Sequence, residues 1–151
     1  MRLESVLGTV VQGHGVASGQ GGDPRFPGGT IQMQRAAFAL RGLCLDAYFL
    51  GTINVSIYPH RYTVQQAKCT FRQVKWAKDA PPEDFSFFDC QVVLKNDRQL
   101  PGLIYYPHPE TKPEHFQDPT TLEVLTEFID NLSYGMSLEL ELDPSQIKIS
   151  L

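Results

Sequence analysis

The sequence predicts a mainly β domain, a single β-rich barrel with two short helices, and three observations carry that expectation. Runs of alternating apolar and polar residues recur between clusters of Gly, Pro, Asn and Asp, as in strands joined by turns. Only two segments carry helical signals, one before Gly42 and one after Pro119. At 151 residues, with a hydrophobic fraction of 42% that includes nine Phe and six Tyr, the chain can fill one sizeable core, and no second domain is expected.

Leu3 to Gln12 reads as the first strand, with Val6, Leu7, Val10 and Val11, and the glycines that follow end it. Gly19 to Gly29 is dense in breakers and reads as an exposed loop. Thr30 to Gln34 reads as a short strand. Arg35 to Arg41 carries good helix formers and stops at Gly42, which is placed to cap the C-terminus. Gly51 to Tyr58, Lys68 to Trp76 and Phe85 to Lys95 alternate as strands, the last two separated by the Asp79–Asp84 turn. Asn96-Asp97 offers a tight hairpin into Gln99 to Tyr106. Pro107 to Pro113 reads as a stiff extended loop. Beyond it, Thr120 and Glu123 are spaced as a capping box, and Leu122, Leu125, Phe128, Ile129 and Leu132 recur at helical spacing, which predicts a second helix packed on the barrel. Met136 to Leu142 and Gln146 to Leu151 finish the chain as strands around Asp143-Pro144-Ser145.

Two segments carry chemistry. In Gly51-Thr52-Ile53-Asn54-Val55 the strand period sets Ile53, Val55 and Ile57 on one face and Thr52, Asn54 and Ser56 on the other. Thr and Asn are neutral oxygen donors, suited to Mg²⁺ when substrate phosphates balance most of its charge. The same pattern also suits the solvated face of an ordinary amphipathic strand. Upstream, Gly13-His14-Gly15-Val16-Ala17-Ser18 follows the first strand, and glycines there let backbone N–H groups converge on an anion. The segment lacks the Gly-Lys-Ser/Thr ending of a Walker loop, and its Gly-x-Gly is too short for a dinucleotide fingerprint. A plain turn accounts for it equally well.

The order of these features, Gly-x-Gly after strand one and Gly-Thr-Ile-Asn about thirty-five residues later, resembles the archaeal CTP-dependent riboflavin kinases. The likeness extends in pattern over nearly the whole chain, through the helix at Gln34 to Arg41, Leu103-Ile104-Tyr105-Tyr106-Pro107, Leu122-Glu123-Val124-Leu125 and a final hairpin after Asn131 to Gly135. It implies a closed six-stranded cradle-loop barrel that transfers the γ-phosphoryl group of CTP to riboflavin, giving FMN and CDP. By the same resemblance Thr52 and Asn54 would hold Mg²⁺. Gly13, His14, Gly15, Val16, Ala17 and Ser18 would contact the nucleotide through backbone N–H groups, and Glu123 would contact the flavin. Two alternatives stay open: Glu123 as the N3 residue of a capping box, and His14 as an exposed loop residue. The chain departs from the family in the long Gly19–Gly29 stretch and in its cations, since Lys148 is the sole Lys or Arg after Glu123. A flavin- or nucleotide-binding barrel without transfer, or a protein-interaction barrel, remains the alternative function.

Composition narrows the partners. A net charge of −4 argues against nucleic acid, although Lys68, Arg72, Lys75 and Lys78 cluster, with Lys68 and Arg72 on one strand face. No signal-peptide pattern or bilayer-length apolar stretch stands out, so a soluble cytoplasmic monomer or homodimer is expected. Cys44, Cys69 and Cys90 are odd in number and lack Cys-x-x-Cys, which predicts reduced, mostly buried thiols.

Overall fold

Strand alternation builds the architecture, seen in a computed structural model that describes residues 3–11, 30–76, 78, 81–111 and 118–151. In chain order the elements are β1 (Glu4–Val11), helix α1 (Thr30–Leu40), β2 (Ile53–Ser56), β3 (Arg61–Val64), β4 (Cys69–Val74), β5 (Glu83–Val93), β6 (Gln99–Pro107), β7 (Thr121–Thr126), β8 (Ser137–Leu142) and β9 (Ile147–Ser150). Antiparallel pairing runs β5-β6-β7-β2-β1-β8 and returns from β8 to β5, closing a six-stranded barrel. Closure removes the exposed edges an open sheet would leave. β5 makes it possible by its length: Cys90–Val93 pair with β8, while the earlier half of the strand pairs with β4, which lies outside the ring.

The barrel interior is filled by alternate residues such as Val10, Val55, Ile104, Val124, Leu140 and Leu142. A second core lies on the outside of the same wall, where Phe85, Phe87, Leu103, Tyr105 and Leu125 meet Ile31 and Phe38 of α1. Phe38 is fully buried, with its ring edge-on to Phe85 and Phe87 at 5.1 Å each. Burying such a ring contributes about 1.5–3 kcal/mol. The helix ends as expected at Gly42, whose φ is 102°: Leu43 N–H bonds Phe38 O at 3.0 Å and Gly42 N–H bonds Ala39 O at 3.1 Å, the two bonds of a Schellman cap. It begins earlier than the sequence suggests, because Thr30–Gln34 is its first turn and not a strand.

The predicted second helix is a strand. Thr121–Thr126 forms β7 between β2 and β6, so the mainly β expectation holds, with one α-helix rather than two among the described residues. Leu122 and Leu125, which share a helical face by spacing, lie on opposite faces of β7, one in each core. The capping box is absent as well. Asp118 Oδ1 instead accepts from Thr120 N at 2.8 Å and Thr120 Oγ1 at 2.7 Å, an Asx turn that leads into the strand. The last two strands do not form a hairpin: β8 joins β1 and β5, whereas β9 pairs with β3 in a separate two-stranded sheet. Gln146 fastens that small sheet to the barrel, accepting from Asp89 N at 2.7 Å and donating to Asp89 Oδ2 at 2.9 Å. The Asn96-Asp97 hairpin stands, with Asp97 at a φ of 64°. In the Pro107–Pro113 stretch, Pro109–Thr111 is a turn of 3-10 helix. All three thiols are free, but only Cys90 is buried, and burial pushes its thiol up to about 12.

Gly102 of β6 faces Thr126 of β7 with no room for a side chain. A Cβ there would lie 2.7 Å from Leu125 O and 3.2 Å from Cys90 Sγ, so Gly102→Ala is expected to destabilise the barrel by about 1–3 kcal/mol, read as a lowered urea midpoint. Two carboxylates tie stability to pH. The Gln73 N–H, 2.8 Å from Asp84 Oδ1, holds that carboxyl below its ordinary value against the cost of burial, with help from Arg72 at 3.0 Å. At Asp89 burial alone would raise the value, but hydrogen bonds from Gln146 and Lys68 outweigh it and the net direction is again down. Carboxyls lowered on folding stabilise above their unfolded value and lose that contribution as pH falls through the folded one. Asp84→Asn should therefore lower the melting temperature at neutral pH and flatten its fall as pH drops below about 4.

Candidate functional site

The sequence-predicted faces of β2 are the observed ones: Gly51, Ile53, Val55 and Ile57 are buried, while Thr52, Asn54 and Ser56 are partly exposed on the outside of the barrel. Register then brings distant residues into one row across the wall. Val11 of β1 faces Asn54 of β2, Asn54 faces Glu123 of β7, and Glu123 faces Tyr105 of β6. The Thr52 hydroxyl donates to Glu123 Oε1 at 3.3 Å. Thr52 is set there by the chain before β2: Phe49 N–H bonds Thr126 O at 3.0 Å and Gly51 N–H bonds Phe49 O at 2.9 Å, fastening the entry to the end of β7.

One side of the row is walled by the helix. Tyr105 donates its hydroxyl to Gln34 Oε1 at 2.6 Å, and both side chains are buried. Nothing in the sequence singled out Tyr105 or Gln34, since their contact joins residues 71 positions apart. Gly13, His14, Gly15, Val16, Ala17 and Ser18 lie outside the described residues. The strand that precedes them ends at Val11, beside Asn54, and α1 meets Tyr105, beside Glu123.

The site therefore gathers a hydroxyl, an amide and a carboxylate. Mg²⁺ takes octahedral oxygen ligands at about 2.1 Å, so adjacent ligands stand about 3.0 Å apart. The 3.3 Å between Thr52 Oγ1 and Glu123 Oε1 is a hydrogen bond, and because the Thr52 and Asn54 oxygens are neutral, an ion held by them would leave most of its charge to be balanced by phosphate. In chemical type, neutral oxygen donors of this kind suit the ion. Among the described residues no group of three or more His, Cys, Asp or Glu side chains is arranged to hold a metal, and this set is of a different kind.

Arg35 and Arg41, the two arginines of the helix segment, engage other partners than the row. Arg35 faces Asp46 at 3.8 Å and Arg41 donates to Arg72 O at 2.8 Å, while Lys148 is exposed on β9. No helix among the described residues is long and apolar enough to cross a membrane. No family model matches the chain, and no curated protein matches it.

Proposed function

We propose that this protein is a Mg²⁺-dependent phosphotransferase of the riboflavin kinase type, with CTP as donor and riboflavin as acceptor, built on a cradle-loop barrel. The observation that carries the reading is the adjacency of Thr52 and Glu123, 3.3 Å apart across 71 residues of sequence. The resemblance assigns Thr52 and Asn54 to the nucleotide's metal and Glu123 to the flavin. Transfer requires those two assignments to be neighbours, because donor and acceptor atoms must be held about 3–3.5 Å apart.

A bound Mg²⁺ would neutralise charge on the transferring phosphoryl group. Thr52 and Asn54 would hold it through neutral oxygens and leave the triphosphate as its anionic partner. Glu123 would accept the hydrogen bond of the ribityl 5′-hydroxyl and orient its oxygen toward the phosphorus. Tyr105 and Gln34, locked to each other, would keep water from one side of the acceptor. Gly13 to Ser18 would meet the phosphates through backbone N–H groups. The reading implies a cytoplasmic protein, monomeric or homodimeric, acting on small molecules.

Purified protein incubated with riboflavin, Mg²⁺ and either CTP or ATP should yield FMN, resolved chromatographically. Absence of FMN with both nucleotides would sink the kinase reading. The engagement of Arg35 and Arg41 away from the row favours a second reading, ligand binding without transfer. It predicts that riboflavin or CTP raises the melting temperature with no turnover.

A further inference from the structure

A second polar cluster occupies the face of β4, β5 and β6 that turns away from α1. Register defines it. Thr70 of β4 faces Ser86 of β5, and Ser86 faces Tyr106 of β6. Phe88 and Ile104, on the same face further along, belong to the barrel interior. The cluster is thus the barrel lining continued past the point where β5 exchanges β8 for β4.

Four side chains form a line there. Thr70 Oγ1 lies 2.8 Å from Ser86 Oγ, and Ser86 Oγ lies 2.6 Å from His108 Nε2. His108 Nδ1 lies 3.6 Å from Glu110 Oε2, longer than a hydrogen bond. With Nδ1 protonated, neutral His108 accepts at Nε2, so Ser86 donates to it and is left to accept from Thr70. The donors then run from exposed Thr70 through Ser86, which is 3% exposed, to the His108 side chain, which is 14% exposed.

Local structure holds this line in place. The 3-10 turn after β6 carries Glu110, and Thr111 Oγ1 accepts from Asp84 N at 2.9 Å and donates to His108 O at 3.2 Å. The Tyr106 ring meets the imidazole at 5.4 Å. Lys68 and Arg72 flank Thr70 on the same exposed side of β4, paired to Asp89 at 2.9 Å and Asp84 at 3.0 Å. Satisfying the buried Ser86 hydroxyl would need only one partner. An exposed hydroxyl at one end and an imidazole at the other are what nucleophile activation requires.

We infer that Thr70 is a nucleophilic hydroxyl that accepts acyl groups from activated esters, its proton passing through Ser86 to His108. In that step Thr70 Oγ1 bonds to the carbonyl carbon as its proton moves to Ser86 Oγ and the Ser86 proton moves to His108 Nε2. The bond from carbon to the leaving oxygen breaks, and the electron pair departs with that oxygen. The products are a Thr70 ester and an alkoxide or phenolate, which takes the proton from His108 or from water. None of these residues belongs to the Thr52, Asn54 and Glu123 row, so the activity stands or falls apart from phosphoryl transfer.

The test is acylation by p-nitrophenyl acetate, followed by p-nitrophenolate release and peptide mass spectrometry. One acetyl group should appear on Thr70, persist in Thr70→Ser and disappear in Thr70→Val, which keeps the branched shape at an exposed strand position. Ser86→Ala removes one oxygen and His108→Gln removes the base. Each should slow Thr70 acetylation about a hundredfold with the melting temperature little changed. Acetylation confined to lysines, or Thr70 acetylation at the native rate in Ser86→Ala, would overturn the inference.

Discussion

Asn54→Leu is expected to abolish Mg²⁺-dependent formation of FMN and to leave the barrel folded. Asn54 sits in a four-residue strand whose register is set on both sides, by Val11 and by Glu123, while its neighbours Ile53 and Val55 remain in the core. Its side chain faces outward and is only partly buried, so an apolar residue of similar size should shift stability by about 0.5 kcal/mol or less. With Asn54 as the proposed ligand, its loss would remove a charge-assisted contact of about 1.5–3 kcal/mol, or roughly ten- to a hundredfold in affinity for the ion. FMN formation measured against Mg²⁺ concentration should show the loss. Native rates in the variant would refute Asn54 as a ligand.

Phe38→Ala should produce the largest change in stability. The ring is fully buried and touches three others, Phe71 at 5.9 Å and Phe85 and Phe87 at 5.1 Å, so truncation opens a cavity in a cluster that cannot close over it. A loss of about 3–5 kcal/mol is expected, a large share of the roughly 5–15 kcal/mol that holds a domain together. Urea denaturation measures it. A loss below about 1 kcal/mol would show that α1 contributes little to the fold. The same helix carries Gln34 to Tyr105, so the variant should also weaken ligand binding beside Glu123.

These two residues illustrate what was legible in the sequence. The alternation of β2 set Asn54 outward correctly, because one face of that strand is core and the other is partly solvated. β7 reads as a helix in the sequence because apolar residues sit on both of its faces. Leu122 and Val124 line the barrel while Leu125 meets the helix-side cluster, which erases the strand period and leaves apolar residues at three-residue spacing. β3, with Arg61, Thr63 and Val64 exposed, carries no period, and its partner β9 lies at the far end of the chain. Within the candidate site, Thr52 and Asn54 were readable from local pattern. Only the resemblance points to Glu123, and its closeness to Thr52 depends on the β2–β7 pairing, which a helix in place of β7 excludes. Likewise the line from Thr70 to Glu110 needs the β4–β5–β6 register, which no local pattern supplies.

Crystals grown with Mg²⁺ and CDP test the central claim most directly. The account predicts an ion about 2.1 Å from Thr52 Oγ1 and Asn54 Oδ1, with the diphosphate on its far side and Glu123 facing the vacant acceptor position. Nucleotide bound elsewhere, with the Thr52 hydroxyl still donating to Glu123 and no ion beside it, would contradict it.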